Sequence, residues 1–314
     1  MSSEFDALLG DVGVERFLRE YWQRKPLLIR QAIPGYSSPI EPDELAGLSL
    51  EEEVESRFDN YDVFLLQAEG KRRWRIGQHC NSTSALQDNP DLRILRDFEC
   101  QDEWVLEPGD MLYIPPGFAH DGIAETDCMT YSIGFRAPSH QEILVHFTDY
   151  LASELSEDAR YSDAGLKQPQ DPAAIDEESV DRLQRSILEL VQNREALATW
   201  FGRHMTETRY PELAQSYIDD EADLLEGLNA GIALLHNPSI KLAYRVAADG
   251  SVQLFASGEH CTVPGALLPL VQQICNQSYL TPQALEQWHE NAEAIELLEQ
   301  LLAKGYLLLE GDDE

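Results

Sequence analysis

The chain has 314 residues, enough for two or three domains with an ample core. Its 57 acidic residues against 23 basic ones leave a formal charge of −34, a field that repels nucleic-acid phosphate and suits either a solvated acidic surface or a basic partner. No stretch approaches a membrane span, the acidic amino terminus has no apolar run of signal length, and the five cysteines form neither a zinc spacing nor a disulfide framework, so the sequence predicts a soluble cytoplasmic protein with no membrane and no direct DNA binding.

Residues 4–56 read as mostly helical. Residues 15–22 carry Phe17, Leu18, Tyr21 and Trp22 on one helical face, followed by a basic and apolar run over 24–30. Residues 43–55 predict a second, very acidic helix. The pattern then changes to strand. Residues 63–66 are a buried-type apolar run, Glu69-Gly70-Lys71 is a turn, and residues 73–76 alternate at period 2. Further strands are predicted over 104–106, 111–114 and 128–135.

Helical spacing returns over 142–155 and over 179–201. In the second helix Val180, Leu183, Ile187, Leu190 and Val191 form one stripe, read first as core and second as a dimer contact. Between the helices, residues 156–176 are polar and contain Pro169 and Pro172, the marks of a loop. A hairpin follows over 241–246 and 252–256, turning at Asp249-Gly250. Helices over 266–276 and 291–304 and a strand over 306–309 complete a winged-helix pattern. This segment lacks the basic face of a DNA reader, which points it to protein contact or structure.

The most specific stretch is Glu107-Pro108-Gly109-Asp110-Met111-Leu112-Tyr113-Ile114-Pro115-Pro116-Gly117-Phe118-Ala119-His120-Asp121-Gly122. A strand enters a rigid Pro-Pro-Gly turn that delivers His120 onto the next strand, since proline fixes φ and glycine takes conformations other residues avoid. The order Gly109, Pro115, Gly117, His120 resembles the second metal-binding motif of the cupin superfamily, which makes His120 a candidate metal ligand. The other seven histidines, His79, His140, His146, His204, His236, His260 and His289, stand in no such pattern and are read as structural or surface residues.

One imidazole is not a metal site. Oxygen-activating non-haem iron takes two His and one carboxylate on one face. In a β-barrel a His-x-Asp or His-x-Glu pair supplies two of them, because period-2 alternation puts i and i+2 on the same side. Asp59, before the strand that reaches the Gly70 turn, is the candidate carboxylate. Asp62 is its rival, with a spacing to the turn that fits less well.

Residues 59–77, with Gln67 and Gly70-Lys71-Arg72-Arg73-Trp74-Arg75-Ile76-Gly77, resemble bacterial ribosomal oxygenases of the JmjC/cupin type. So do residues 108–122, Tyr131-Ser132-Ile133-Gly134-Phe135-Arg136-Ala137-Pro138, and the early runs 21–27 and 42–48. The resemblance covers nearly the whole chain. It implies an α+β protein: a double-stranded β-helix (the cupin/JmjC jelly roll) over 1–138, a helical dimerisation region over 139–212 and a winged-helix-like domain over 213–314. It further implies Fe(II), 2-oxoglutarate as co-substrate, and hydroxylation of an arginine β-carbon in the sixteenth, basic protein of the large ribosomal subunit. Asp59 and His120 match two of three iron ligands. Arg72 matches the residue that grips the far carboxylate of 2-oxoglutarate, a job for which a guanidinium fork is suited. Ser132 is a weaker polar candidate for the co-substrate.

One departure is serious. The resemblance implies a His two residues before Asp59, where this chain has Arg57, a cation with no lone pair to donate. It also implies several dozen further residues between Phe58 and Asp59, carrying the first barrel strands. Only six strands are predicted over 59–136, whereas a jelly roll has eight. A true deletion should leave an open barrel edge, so the sequence is expected to lack a segment that the molecule contains. The competing reading is a cupin-fold binding or scaffold protein that has lost a metal ligand.

Overall fold

The computed structural model describes residues 6–40, 60–81, 83–85, 95–165, 171, 173–208 and 224–310. The acidic helix expected over 43–55, Arg57, Asp59, Pro169 and Pro172 lie outside the described residues. The chain divides into two compact units, Met1–Pro138 and Ser139–Glu314.

In the first unit, helix α1 (Gly13–Glu20) precedes strands β1 (Leu27–Ile29), β2 (Asp62–Glu69), β3 (Arg72–His79), β4 (Asp102–Leu106), β5 (Met111–Ile114), β6 (Phe118–Ala124) and β7 (Met129–Phe135). They form two antiparallel sheets, ordered β1-β5-β2-β7 and β4-β3-β6. The short strand β1 was not predicted, because three residues are too few to show a period.

Alternation decides which side chains meet. Val63, Leu65, Leu112 and Ile114 of one sheet pack against Trp74, Ile76 and Leu106 of the other. Each such side chain, when fully buried, contributes about 1.5–3 kcal/mol. The intervening residues Leu66, Met111 and Tyr113 face the other way, into a second cluster with Phe17 of α1 and Ile29 of β1. Rings pack closely there: Phe17 and Tyr113 have centroids 4.9 Å apart at 76°.

The turn before β5 is tied down by Asp110, which is 2% exposed. Its carboxylate accepts from the Gln31 amide at 2.9 Å, the Glu107 amide at 3.0 Å and the Arg30 guanidinium at 2.6 Å. Burial pushes this carboxyl up, but the two amides and Arg30 outweigh it and hold it below the ordinary carboxylate range. Gly109 beside it has φ 90°, and a Cβ there would stand 2.6 Å from the Ile33 carbonyl.

The barrel is open. An eight-stranded jelly roll closes each sheet with four strands, but residues 62–135 supply six, and among the described residues β6 and β7 each pair on one side only. Ile123 on β6 and Ile133 and Phe135 on β7 are 43%, 44% and 51% exposed, on the faces turned away from the layer between the sheets. Phe58 is followed directly by Asp59. The junction of Phe58 and Asp59, on which the expectation of an unseen segment turns, lies outside the described residues.

In the second unit α2 (His140–Glu154) starts in a capping box made by Ser139 and Glu142. The single helix expected over 179–201 is two helices, α3 (Glu177–Val191) and α4 (Arg194–Thr206). Asn193 divides them, its side chain accepting from the Ala196 amide at 3.1 Å to cap α4. No residue of α3 is buried, so the core reading of its apolar stripe does not hold: Val180, Leu183 and Ile187 are about half exposed.

The remaining elements are α5 (Leu224–Asn229), β8 (Leu234–His236), β9 (Leu242–Val246), β10 (Val252–Ala256), β11 (Glu259–Val263), α6 (Leu268–Asn276), β12 (Tyr279–Leu280), α7 (Pro282–Leu285), α8 (Ala292–Ala303) and β13 (Leu307–Leu309). The predicted hairpin gains a third strand, β11, through a turn with Ser257 at φ 48° and Gly258 at φ 78°. Leu234, Leu254, Leu270, Ile274, Leu298 and Leu307 centre the core that joins these sheets to their helices. Among the described residues no helix is long and apolar enough to cross a membrane.

Asp110→Ala should strand two amide donors, each worth about 1–3 kcal/mol when buried and unpaired. For Asp110→Asn the sign follows from the lowered carboxyl. Its stabilisation is complete above the ordinary carboxylate range and disappears as pH falls through the depressed value. Urea midpoints of wild type and Asp110→Asn should differ near pH 6 and converge as pH falls below the ordinary carboxylate range.

Candidate active site

The pairing of β3 with β6 sets Arg72 opposite Ala124, Trp74 opposite Gly122 and Ile76 opposite His120. Opposed residues project to the same side of a sheet. Trp74 and Ile76 point into the layer between the sheets, so Arg72, Gly122 and His120 take that side as well.

The turn that delivers His120 depends on Gly117, at φ 79°. A Cβ there would stand 2.8 Å from His79 Nε2 and 2.9 Å from the Cys80 carbonyl. The Cys80 amide donates to the Gly117 carbonyl at 2.6 Å and locks the turn against the end of β3. His120 Nδ1 lies 3.0 Å from the Phe118 carbonyl. With Nδ1–H donating there, Nε2 keeps the lone pair that a metal needs.

Arg72 lies over the Trp74 ring, 4.9 Å from its centroid. Its Nη2 donates to the Gly122 carbonyl at 3.3 Å. Its Nε is buried without a partner, and so is Trp74 Nε1. Buried donors of this kind cost about 1–3 kcal/mol each when left unpaired. An anion reaching Arg72 would satisfy one of them, so the orphaned Nε fits a carboxylate ligand. Gly122 makes the room: a Cβ there would meet Trp74 Cζ3 at 2.7 Å and Arg72 Nε at 2.8 Å. Trp74 and Gly122 were not singled out from sequence, although each stands two residues from a candidate and shares its face.

On the other sheet Ser132 is paired with Leu65, which faces the same layer, and it sits exposed on the edge strand β7. Gln67, fully buried, accepts from the Thr130 hydroxyl at 2.9 Å and donates to the Glu69 carbonyl at 2.7 Å, which holds β7 in register. Asp62 has the opposite parity. Its carboxylate accepts from the Tyr113 hydroxyl and, at 3.1 Å, from the Gln23 amide side chain. Burial and this carboxylate push the Tyr113 hydroxyl well above its ordinary value. The rival carboxylate is thus used to anchor the outer face. Among the described residues no group of three or more His, Cys, Asp or Glu is placed to hold a metal.

Residues 15–143 match the model of the JmjC domain, and residues 189–308 match that of the ROXA-like winged helix. The chain is 28% identical to the ribosomal protein uL16 3-hydroxylase of Escherichia coli strain K12, with 94% of this chain and 97% of that protein covered. That alignment runs over 380 positions, more than the chain contains, so dozens of them face gaps here. A probable ribosomal oxygenase of Haemophilus influenzae is 25% identical, covering 82% of this chain and 84% of its own. Among solved structures, E. coli YcfD superposes with TM-score 0.78 at 24% identity over 96% of this chain and 99% of that one. E. coli YcfD in complex with cobalt and 2-oxoglutarate gives TM-score 0.73 at 24% identity, covering 95% and 98%.

Gly122→Val should overpack the space between Trp74 and Arg72, at a cost of about 1–3 kcal/mol. A lower thermal midpoint together with a changed near-ultraviolet circular dichroism signal would register the displaced indole.

Proposed function

We propose that this chain is a JmjC-type ribosomal oxygenase, a dioxygenase dependent on Fe(II) and 2-oxoglutarate that hydroxylates the β-carbon of an arginine side chain in a large-subunit ribosomal protein. The observation that carries the reading is the shared face of β3 and β6, which sets a buried, partnerless guanidinium nitrogen on Arg72 beside an imidazole, His120, aimed by a rigid turn. Iron held with 2-oxoglutarate in such a site, with His120 and Asp59 among its ligands, would supply the activation of oxygen.

The protein's own contributions follow from chemistry. Arg72 pairs with the far carboxylate of 2-oxoglutarate, and Trp74 walls the same pocket. Ser132 offers a hydroxyl from the facing sheet. His120 donates through Nε2, and the family resemblance makes Asp59, outside the described residues, the second ligand. These two do not make the three-donor face that such iron ordinarily uses. Arg57, where the first imidazole is implied, has no lone pair. The third donor of an iron centre is found neither among the described residues nor at Arg57.

That shortfall, with the bare edges of β6 and β7, favours a second reading: a cupin-fold binding or scaffold protein without turnover. Under either reading the charge of −34 suits a basic ribosomal protein as partner and disfavours direct DNA binding. Residues 1–138 are assigned to the catalytic domain, 139–212 to a helical dimerisation region and 213–314 to the winged helix, in a cytoplasmic homodimer.

Incubated with Fe(II), 2-oxoglutarate, oxygen and a peptide of the basic ribosomal protein, the chain should release succinate and add one oxygen atom to the peptide. Peptide binding without succinate selects the scaffold reading. Arg72→Ala should weaken 2-oxoglutarate binding by about 1.5–3 kcal/mol, read by calorimetry. In light scattering, Leu183→Glu with Ile187→Glu should turn a dimer into a monomer, because both side chains lie on the exposed stripe of α3.

A further inference from the structure

Strand β3 carries three arginines in different surroundings. Arg73 and Arg75 lie on the outer face, where Arg73 pairs with Glu103 and Glu125, and Arg75 with Asp121. Arg72 lies on the inner face, and among the described residues no carboxylate pairs with it, in a chain that has 57 acidic residues. Its side chain makes one hydrogen bond there, from Nη2 to the Gly122 carbonyl at 3.3 Å. One bond at a terminal nitrogen does not fix the plane of a guanidinium.

The remaining restraint is the indole of Trp74. The guanidinium carbon lies 4.9 Å from the ring centroid. Trp74 is 7% exposed, and packing between the sheets sets its ring. Gly122 completes the cradle: a Cβ there would stand 2.8 Å from both Arg72 Nε and Trp74 Cη2, so the glycine lets the two groups stack. The same indole reaches His120, with centroids 6.1 Å apart at 50°. Aromatic rings interact out to about 7 Å between centroids, so one ring contacts both candidate side chains.

We propose that Trp74 is the positioning residue of the carboxylate end: its indole face fixes the plane of the Arg72 guanidinium by cation–π stacking and keeps the fork open to an external carboxylate. The proposal rests on the oxygenase reading of the site. A cation is drawn to the face of an indole more strongly than to that of a phenyl ring, and an alkyl side chain offers no such attraction. The attraction grows where water is excluded, as it is at a buried ring. Trp74 acts through Arg72, so affinity for a dicarboxylate should follow the ring at position 74.

The test is calorimetric titration of the full chain with 2-oxoglutarate, in wild type, Trp74→Phe and Trp74→Leu, with thermal midpoints recorded for each. Trp74→Phe should bind about two- to fivefold more weakly than wild type and Trp74→Leu about tenfold or more, the scale of a cation–π contact converted to affinity. A second readout, which packing alone would not move, is the Arg72 Nε–H signal in proton–nitrogen correlation spectra, assigned by its loss in Arg72→Lys. Stacking on the indole should shift it upfield of the other arginines, and 2-oxoglutarate should move it downfield as the nitrogen gains an acceptor. This measurement uses the wild type, so it decides if neither Trp74 variant folds.

An Arg72 signal at the ordinary arginine position would overturn the proposal. So would equal affinity in Trp74→Phe and Trp74→Leu, reduced or not, since a ring and an alkyl chain would then serve alike. If Arg72→Ala binds 2-oxoglutarate as the wild type does, the functional reading itself fails. If Arg72→Ala loses binding while both Trp74 variants keep it, only the positioning role fails.

Discussion

The register between β3 and β6 is the constraint on which the rest of the site depends. Sheet side chains alternate with period 2, so a slip of one residue would turn Arg72 and His120 to opposite faces of the sheet. The register is held from both ends. Trp74 and Ile76 are buried between the sheets and cannot be turned out without exposing them to water. At the far end the Cys80 amide bonds to Gly117 and fixes where β6 begins. The same pairing that builds the core therefore sets the two candidate side chains, Arg72 and His120, on one face.

The same argument explains what is missing. A sheet edge is stable when a strand, a loop or charge covers it. β6 and β7 carry the site on one face and lack a neighbour among the described residues, and the apolar side chains Ile123, Ile133 and Phe135 are left about half exposed. The relatives that share this fold carry dozens of alignment positions absent here. Among the described residues the two sheets hold seven strands, and the sequence has Arg57 where the resemblance implies an imidazole.

Much of this was legible in the sequence, and the reasons are local. The Pro115-Pro116-Gly117 turn, the alternation of residues 73–76 and the Asp249-Gly250 hairpin each follow from backbone chemistry within a few residues, and each appears where expected. The α3 stripe shows the limit. Its spacing announces an apolar face but not what covers that face, and among the described residues nothing buries it. The division at Asn193 was missed because apolar spacing runs across the break, while the cap that makes the break is one side-chain hydrogen bond.

The sequence by itself determined the family resemblance, the aimed imidazole at His120, the candidate Arg72 and the absence of a donor at Arg57, because these depend on residue identity and short spacing. Tertiary structure alone decided that Arg72 and His120 share one face, that Arg72 keeps a buried nitrogen without a partner, and that Asp62 is used up on Tyr113 and Gln23. Those outcomes depend on which strand pairs with which, and in what register, and strand pairing joins residues dozens of positions apart that no local pattern can connect.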